Sequence, residues 1–387
     1  MIINVCTLTL KLCFSAALSY MTVSTMLQQR QMRGELNILT YLSHALSSAP
    51  GLELQLSQYV FIHDVLSEAL SAGNTSVVKH SLPQYVRSLE AGEGEGLPTW
   101  KLLEKQFGLA TELHPPSHQY LTAVNPTNHL HNNSMDYVAV DLTRVLLQPM
   151  VGGTDYINSS WVPGYSRGDQ FILSQHPSPS TGAQFWHMIW QTETPLIVCV
   201  SVFQQPVSFK YWIFTYFHPT HLQFWPSFAA PLHLGRLKVV LVAETSLSGY
   251  QAVSLSLELE NKPPLAVQLI FCPNWPHLSV PVSNCVHLVD CVTRLAHSDK
   301  PTVIIDSFGA TEAAIFTCLC SLVCQMDLEE NVDVFYWFKV LHLCRPGIWV
   351  SPDNLLFLYR VMAELCSIKR TVKKSSHLIA SNNQLNI

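Results

Sequence analysis

The stretch Pro301–Phe316, "PTVIIDSFGATEAAIF", combines a strand, a tight turn and the start of a helix. The β-branched run at 303–305 predicts a buried strand, and the Ala-rich run after the Ser/Gly-containing turn predicts a helix. A helix that begins directly after a strand and a turn points its free backbone N–H groups at an anion. This loop instead carries Asp306 and Glu312. The question is why an anion cradle would be lined with carboxylates.

The pattern on both sides of this stretch indicates an α/β (α+β) domain. Short β-branched runs in the middle of the chain predict strands over 196–203, 236–244, 252–260 and 265–271. Apolar residues at helical spacing predict helices over 316–326, 332–343 and 354–366. Strands in the centre with helices around them predict a central twisted mixed sheet flanked by helices.

Composition limits the class of protein. The chain has 387 residues, of which 48% are hydrophobic and 13% charged, so a large core is expected and disorder is not. A net charge of −5 gives no electrostatic reason to expect nucleic acid as a partner. The eleven cysteines form no CxxC pair, and Cys318, Cys320 and Cys324 share one apolar run. This usage favours a reducing, cytoplasmic location over a disulfide framework.

The N-terminal residues 1–21 are apolar and atypical. They imitate a signal peptide or anchor, but there is no basic n-region, and Lys11 interrupts the apolar run. The segment is too broken for a membrane span, so we expect no span in this chain. A signal or anchor stays open as an alternative, and a buried helix or an oddly spliced start is the favoured interpretation.

Residues 22–72 show helical periodicity. Apolar residues recur at helical spacing in 33–46 and in 58–70, and "SSAPG" between them is a break. The Gly-rich "LEAGEGEGLP" predicts an exposed connector over 73–100, and a polar, frayed tail is expected over 371–387. The helix "QYVFIHDVLSEAL" is echoed near the end of the chain by "LLFLYRVMAELC".

Four blocks in a fixed order resemble a known family. "TDYINSSWVPGY" followed by "FILSQHPSPSTGAQFWHMIWQ" is similar to the Asp-Tyr-Ile-Asn-Ala-Ser, Thr-Gln-Gly-Pro and Phe-Trp-x-Met-Val/Ile-Trp segments of protein tyrosine phosphatase domains. "FCPNWPHLSVP" resembles the mobile Trp-Pro-Asp loop, "IDSFGATEA" stands where the family has the His-Cys-x-x-x-x-x-Arg loop, and "RPGIWVSPDNLLFLY" stands where it has the Gln loop. The resemblance implies the protein tyrosine phosphatase fold over 101–370.

The N-terminal helices resemble part of the same family. Residues 22–72 are similar to the last helices of a phosphatase domain that precedes a second one in tandem receptor phosphatases, and 101–112 is similar to the linker helix of that second domain. The echo would then be one terminal helix occurring twice. "SQHP" and an acid at the Cys position look most like the membrane-distal, catalytically degenerate domain of the receptor gamma/zeta subgroup.

The resemblance also shows which catalytic groups are missing. The family reaction uses a Cys thiolate, an Arg that binds phosphate with two hydrogen bonds, an Asp acid, and Gln residues that position water. The substrate-ring loop, usually Lys-Asn-Arg-Tyr, reads "HNNS" at 131–134. The matching catalytic positions are Asp306 for the nucleophile, Glu312 for the Arg, His277 for the acid, and Val350 and Asn354 for the Gln loop.

The magnitudes predict that this cradle repels phosphate. Replacing a cation by an anion about 4 Å from a phosphate dianion changes each interaction by several kcal/mol at an effective dielectric constant of about 20. A helix N-terminus contributes only about 0.3–1 kcal/mol of attraction. We therefore expect a pseudophosphatase that needs no cofactor. The resemblance implies a regulatory role through contact with an active phosphatase domain, in cis or in a dimer.

Rival interpretations rest on particular residues. An active tyrosine phosphatase is the main alternative, and an Asp306 nucleophile would need Mg²⁺ ligands of which the loop offers only Glu312. His277 could act as an acid, but a loop histidine is the simpler interpretation. His129 and His131 are spaced as metal ligands on a strand, yet no second pair is evident and no metal is expected. A partial gene product that exposes an apolar face of 22–72 is a third alternative.

The family residues that are retained have structural interpretations. They are expected to hold the sheet edge and buried turns, to fill the core, or to make internal ion pairs and hydrogen bonds. The three groups are, in that order, Asp155, Tyr156 and Asn158; Phe185, Trp186 and Trp190; and Arg144 and Arg345.

Overall fold

The chain folds into two compact units, Met1–Asn74 and Thr75–Ile387. The structure is a computed structural model. It describes residues 2–49, 51, 53–90, 99–112, 117–148, 154–200, 223–247, 250–272, 275, 288–290, 292–293 and 299–384. The N-terminal unit is called unit 1 and the other unit 2.

Unit 1 consists of helices α1 (Ile2–Arg33), α2 (Ile38–Ser48) and α3 (Leu56–Ala72). The Asn37 side chain caps α2 by accepting a hydrogen bond from the backbone N–H of Thr40. A small apolar cluster joins the helices, with Leu18, Met26, Leu42, Ile62 and Leu66 buried in it. Helices α2 and α3 match the predicted periodic segments. The predicted boundary at residue 22 is wrong, because α1 is one continuous helix from Ile2.

Unit 2 contains a mixed sheet. In the described part of the chain its nine strands lie in the order β2-β3-β4-β10-β5-β9-β8-β7-β6. The pairs β4–β10, β10–β5 and β5–β9 are parallel and the others antiparallel. This confirms the predicted mixed sheet. The strands are β2 (Arg144–Leu146), β3 (Tyr156–Val162), β4 (Phe171–Gln175), β5 (Leu196–Cys199), β6 (Leu232–Leu234), β7 (Leu237–Leu247), β8 (Tyr250–Leu259), β9 (Leu265–Phe271) and β10 (Thr302–Asp306).

Helices cover the sheet of unit 2. The central strand β10 is buried along its whole length, which is why its sequence is a continuous apolar run. Helix α7 leaves β10 after a short turn and is itself largely buried. The helices are α4 (Leu82–Glu90), α5 (Thr99–Thr111), α6 (Gly182–Gln191), α7 (Thr311–Glu329), α8 (Val334–Cys344) and α9 (Pro352–Gln384).

The segment predicted as a connector over 73–100 is structured in its first part. Strand β1 (Val77–Val78) pairs with β11 (Asn331–Val332) in a separate two-stranded sheet. Helix α4 packs on α9 and buries Leu82, Val86 and Leu89. The connector prediction is therefore wrong over 75–90, because an amphipathic helix there completes the core. The tail prediction for 371–387 is also corrected, since α9 continues as a helix to Gln384.

One described helix, α7, is long and apolar enough to cross a membrane by length and composition. In this fold 67% of its apolar window is buried, as expected for the core helix that follows a central strand. The thiols of Cys318 and Cys320 lie within that core. Burial raises the pKa of the Cys320 thiol, which is consistent with its interpretation as a small core residue.

Candidate functional site

The candidate site is the turn between β10 and α7. Strand β10 ends at Asp306, and the turn 307–310 leads into the first residue of α7. Gly309 has a φ of +65°, and a Cβ at this position would lie 2.6 Å from the carbonyl carbon of Ser174 on β4. Only glycine fits this conformation against the neighbouring strand. The turn is therefore pressed onto the end of the sheet, with its backbone N–H groups turned towards Asp306.

The Asp306 carboxylate occupies the centre of this cradle. It accepts hydrogen bonds from the backbone N–H groups of Phe308 at 2.8 Å, of Ala310 at 2.9 and 3.0 Å, and of Ala313 at 2.9 Å. Its residue is only 4% exposed. The negative charge that a helix N-terminus attracts is thus supplied by the chain itself. This accounts for the carboxylate in the loop, since it is bound as the anion.

Arg345 holds the turn from behind. Its side chain is wholly buried, and burial lowers the pKa of its guanidinium to about 10. Two of its acceptors are the carbonyl groups of the turn at Phe308 and Gly309. The others are Ser160 Oγ at 3.0 Å, Asn158 Oδ1 at 2.9 Å and the Tyr137 carbonyl at 3.2 Å. The prediction that Arg345 makes internal hydrogen bonds is confirmed, and those bonds fix the shape of the cradle.

Residues from other loops complete this support. The Asn133 side chain donates to the carbonyl of Ser307 at 3.0 Å and to that of His176 at 2.8 Å. The Tyr137 ring stacks on Phe308 with centroids 5.7 Å apart. In this chain the segment that corresponds to the substrate-ring loop therefore anchors the cradle.

Glu312 lies in the first turn of α7, beside Asp306. Its Oε2 accepts a hydrogen bond from Nε1 of Trp275 at 2.8 Å, and Trp275 packs edge-on against Phe316. Burial, and secondly the charge of Asp306, raise the pKa of the Glu312 carboxyl to about 7. Trp275 is thereby fixed to α7. His277, the predicted acid position, lies outside the described residues.

A pocket of about 160 Å³ opens over the cradle. Its charged groups among the described residues are two acids, Asp306 and Glu312, so an entering phosphate would meet carboxylates on two sides. The pocket is lined by Tyr137, Asp306, Ser307, Phe308, Ala310, Thr311 and Glu312.

The two Gln-loop positions lie on the far side of Thr311, whose hydroxyl donates to the carbonyl of Ile348 at 2.6 Å. Val350 is 65% exposed and has no polar group to orient water. Asn354 is buried, and its Oδ1 accepts from the backbone N–H groups of Val350 and Ser351, both at 3.1 Å. Asn354 thus serves the turn before α9.

The histidine pair near the site does not lie on a strand as its spacing suggested. His129 and His131 are in a 3₁₀ helix, Pro126–His131. The ring Nε2 of the exposed His129 lies 2.8 Å from the carbonyl oxygen of Val124. Within the described residues, no group of three or more His, Cys, Asp or Glu side chains could hold a metal ion. A 3₁₀ helix rather than a strand forms here because Pro126 begins the segment and Asn125 caps it.

The retained polar residues have the structural roles expected of them. Arg144 pairs with Asp155 at 3.0 Å across the sheet edge. The Tyr156 hydroxyl donates to Asn132 Oδ1 at 2.7 Å. Asn158 is buried, and its Nδ2 donates to the Tyr137 carbonyl at 2.9 Å. These contacts confirm that sheet edge and buried turns depend on them.

The aromatic residues of α6 are also placed as expected. Phe185 and Trp186 are buried in the main core of unit 2, and Trp190 packs against that core from a partly buried position. These three residues therefore anchor α6 to the sheet and contribute nothing to the cradle.

Comparison with known proteins decides the family. The sequence profile described as Protein-tyrosine phosphatase matches residues 128–364, which is more than half of the chain. The chain belongs to the protein-tyrosine phosphatase family. The match includes the cradle, so the β10–α7 turn of this phosphatase-family chain stands where the family places its phosphate loop.

Curated relatives of this phosphatase-family chain are receptor-type enzymes by name. It is 31% identical over 368 residues to human "Receptor-type tyrosine-protein phosphatase zeta", which covers 93% of this chain and 15% of that protein. It is 26% identical to "Tyrosine-protein phosphatase 99A" of Drosophila melanogaster, covering 92% of this chain and 26% of the relative. It is also 26% identical to chicken "Receptor-type tyrosine-protein phosphatase S", covering 79% and 20%. The chain thus spans about a quarter or less of these relatives.

Sequence reasoning missed three parts of the site. It did not identify Tyr137 as a wall of the pocket, Trp275 as the partner of Glu312, or Asn133 as an anchor of the turn. A tyrosine or an asparagine in a loop carries no signal of its long-range partner. Gly309 did carry a signal, because a glycine in a strand-to-helix turn indicates a positive φ or a close backbone approach.

Proposed function

We propose that this chain is a catalytically inactive tyrosine phosphatase-like domain with a regulatory, protein-binding role in receptor tyrosine phosphatase signalling. The observation that carries the proposal is the Asp306 carboxylate, which accepts the cradle's backbone N–H groups at 2.8–3.0 Å. The family reaction needs a thiolate at this position and free donors for the phosphate oxygens. Here the nucleophile is absent and those donors are in use.

Glu312 supports the same proposal. The family's phosphate-binding guanidinium stands at this position, and its replacement is a carboxyl held towards Trp275. In its charged form it repels phosphate, and in its neutral form it offers at most one weak donor. Neither form replaces the bidentate contact of an arginine.

An active tyrosine phosphatase is the second candidate, and family membership favours it. The two are separated by assaying the purified full chain on phosphotyrosine peptides and on a small aryl phosphate, with an active family member as the positive control. We expect no phosphate release above buffer. Turnover that vanadate inhibits would contradict the inactive assignment, and an Asp306→Ala variant would then show whether this carboxylate carries it.

We further propose that unit 1 corresponds to the last helices of a first phosphatase domain and unit 2 to a second domain on the cytoplasmic side of a receptor. The proposal is supported by the receptor-type name and 15% coverage of the zeta relative, and by three helices that pack on a small cluster of their own. The expected partner is an active phosphatase domain, in cis or in a dimer. Sedimentation of the chain with such a domain tests this, and two independent boundaries at high concentration would contradict it.

A further inference from the structure

The Asp306 carboxylate is bound in the manner of a ligand. Its Oδ1 accepts from the N–H of Phe308 at 2.8 Å and of Ala310 at 2.9 Å, while Oδ2 accepts from the N–H of Ala310 at 3.0 Å and of Ala313 at 2.9 Å. Each oxygen therefore has two donors, and Ala313 belongs to the first turn of α7, where helix N–H groups have no partner within the helix. The receptor for this carboxylate is made of backbone alone.

The shape of the receptor does not depend on Asp306. Arg345 holds the carbonyl groups of Phe308 and Gly309, and Asn133 holds the carbonyl of Ser307. Gly309 is also packed against the backbone of Ser174. These contacts approach the turn from β3, β4 and the loop before α9, and none of them passes through the carboxylate. The N–H groups should therefore keep their direction when the carboxylate is removed.

We propose that this cradle is an intact carboxylate-binding site whose permanent ligand is the side chain of Asp306, and that an external monocarboxylate binds there once that side chain is removed. The proposal goes beyond catalytic inactivity, because it assigns a ligand class to the site and a stabilising role to the residue in it. Its readouts are stability and anion binding, so it fails or succeeds independently of any result in a phosphatase assay.

The surroundings select a monocarboxylate over phosphate. The four hydrogen bonds are arranged around two oxygens, which matches a planar carboxylate. Glu312 lines the same pocket, and its charge opposes a second negative charge more strongly than a single one. An Asp306→Ala variant lacks one carboxyl group at this point. Formate is that missing group as a free anion, which makes it the probe of choice.

The test is thermal unfolding of the full chain and its Asp306→Ala variant at pH 8 in sodium chloride and in sodium formate of equal ionic strength. In chloride we expect the variant to unfold roughly 5 °C or more below the parent chain, because three buried N–H groups lose their acceptor. Formate should recover part of this loss in a concentration-dependent manner that saturates. Phosphate at the same ionic strength should recover less, and the parent chain should respond equally to all three salts.

The matched control is Asp333→Ala. Asp333 also accepts a backbone N–H at a helix start, that of Tyr336 at 2.9 Å, but it is partly exposed and has one amide donor rather than three. This variant should lose stability without recovery in formate. Equal recovery in both variants would identify a general salt effect and overturn the proposal. A folded Asp306→Ala chain that formate does not stabilise would overturn it as well.

A second variant decides the case if Asp306→Ala does not fold. Asp306→Asn keeps the size of the side chain but places an NH₂ group where one oxygen accepted, so that donor faces donor. We expect its unfolding temperature to lie between those of the parent chain and a misfolding variant, with loss of hydrogen-exchange protection at the amides of Phe308, Ala310 and Ala313. Parent-like stability and protection would show that the second oxygen is not a ligand, and the proposal would be wrong.

Discussion

At the scale of single residues, the same fold position can support or prevent a reaction. Asp306 ends a buried strand and Glu312 begins the helix behind it, so both are placed by the backbone regardless of their charge. A thiolate and a guanidinium at these two points would attract phosphate, whereas two carboxylates repel it. One of these carboxylates is satisfied by amides. The other is largely desolvated, and its pKa responds accordingly.

Glu312→Gln tests that desolvation. The pKa of Glu312 is raised from 4.5 to about 7, so its contribution to stability is complete below the unfolded-state pKa and is lost as the pH rises through 7. Glutamine keeps an oxygen for Trp275 and removes the charge. We expect the variant to exceed the parent chain in free energy of unfolding by up to about 3 kcal/mol at pH 8 and by little at pH 4.5. Urea unfolding across this range measures it, and a pH-independent difference would contradict it.

Arg345→Met tests the support of the turn. The substitution removes a buried cation and leaves five acceptors, including two turn carbonyls, without their donor. We expect a loss of about 3–5 kcal/mol in unfolding free energy. The control is Arg360→Met, whose partner Glu90 is at the surface and whose loss should cost less than about 1 kcal/mol. Similar losses in the two variants would show that Arg345 does not support the turn.

At the scale of elements, the strand–turn–helix unit retains the geometry of the family and not its chemistry. Asp306→Cys alone should give no phosphatase activity, because the new thiol would face Glu312 and its pKa would rise. Adding Glu312→Arg should restore binding of vanadate, since a guanidinium then meets the anion. Vanadate titration of the single and double variants measures this. Equal affinity in the two would show that Glu312 is not what closes the cradle.

Much of this unit could be predicted from the sequence. The β-branched run fixed β10 and the Ala-rich run fixed α7, because buried strands and helices follow side-chain periodicity. The hydrogen bonds of Asp306 could not be predicted, since they depend on the direction of backbone N–H groups that Arg345 and Asn133 hold from distant loops. Helix α4 was missed for a related reason. It is short, and the Gly-rich residues after it made the whole segment look like a connector.

Leu82→Ala tests the assignment of α4 to unit 2. Leu82 is fully buried where α4 packs on α9. Truncation leaves a cavity, so we expect a loss of about 2–5 kcal/mol in the unfolding free energy of the chain. Val78→Ala is the control, because Val78 is 47% exposed on the neighbouring strand β1 and its truncation should be felt far less. A neutral Leu82→Ala variant would return residues 75–90 to the role of a connector.

At the scale of the whole molecule, the two units differ in how much core they contain. Unit 1 has five fully buried apolar residues, in the cluster of Leu18, Met26, Leu42, Ile62 and Leu66. Large apolar side chains are left exposed on the same helices, among them Tyr20, Met32, Leu56 and Phe61. The core of unit 2 extends across its central strands and α6. A helical unit with so small a core has little to oppose local opening.

Hydrogen exchange measures this difference directly. We expect the amides of α2 and α3 to exchange orders of magnitude faster than those of β5 and of residues 237–241 in β7, because the former open locally and the latter only with the core. The comparison is made within one sample, so solvent conditions cancel. The exposed loop amides of 260–262 mark the unprotected limit. Protection of α2 and α3 equal to that of β5 would contradict the interpretation of unit 1 as the remaining helices of a first domain, because it would give them a stability that their own core does not explain.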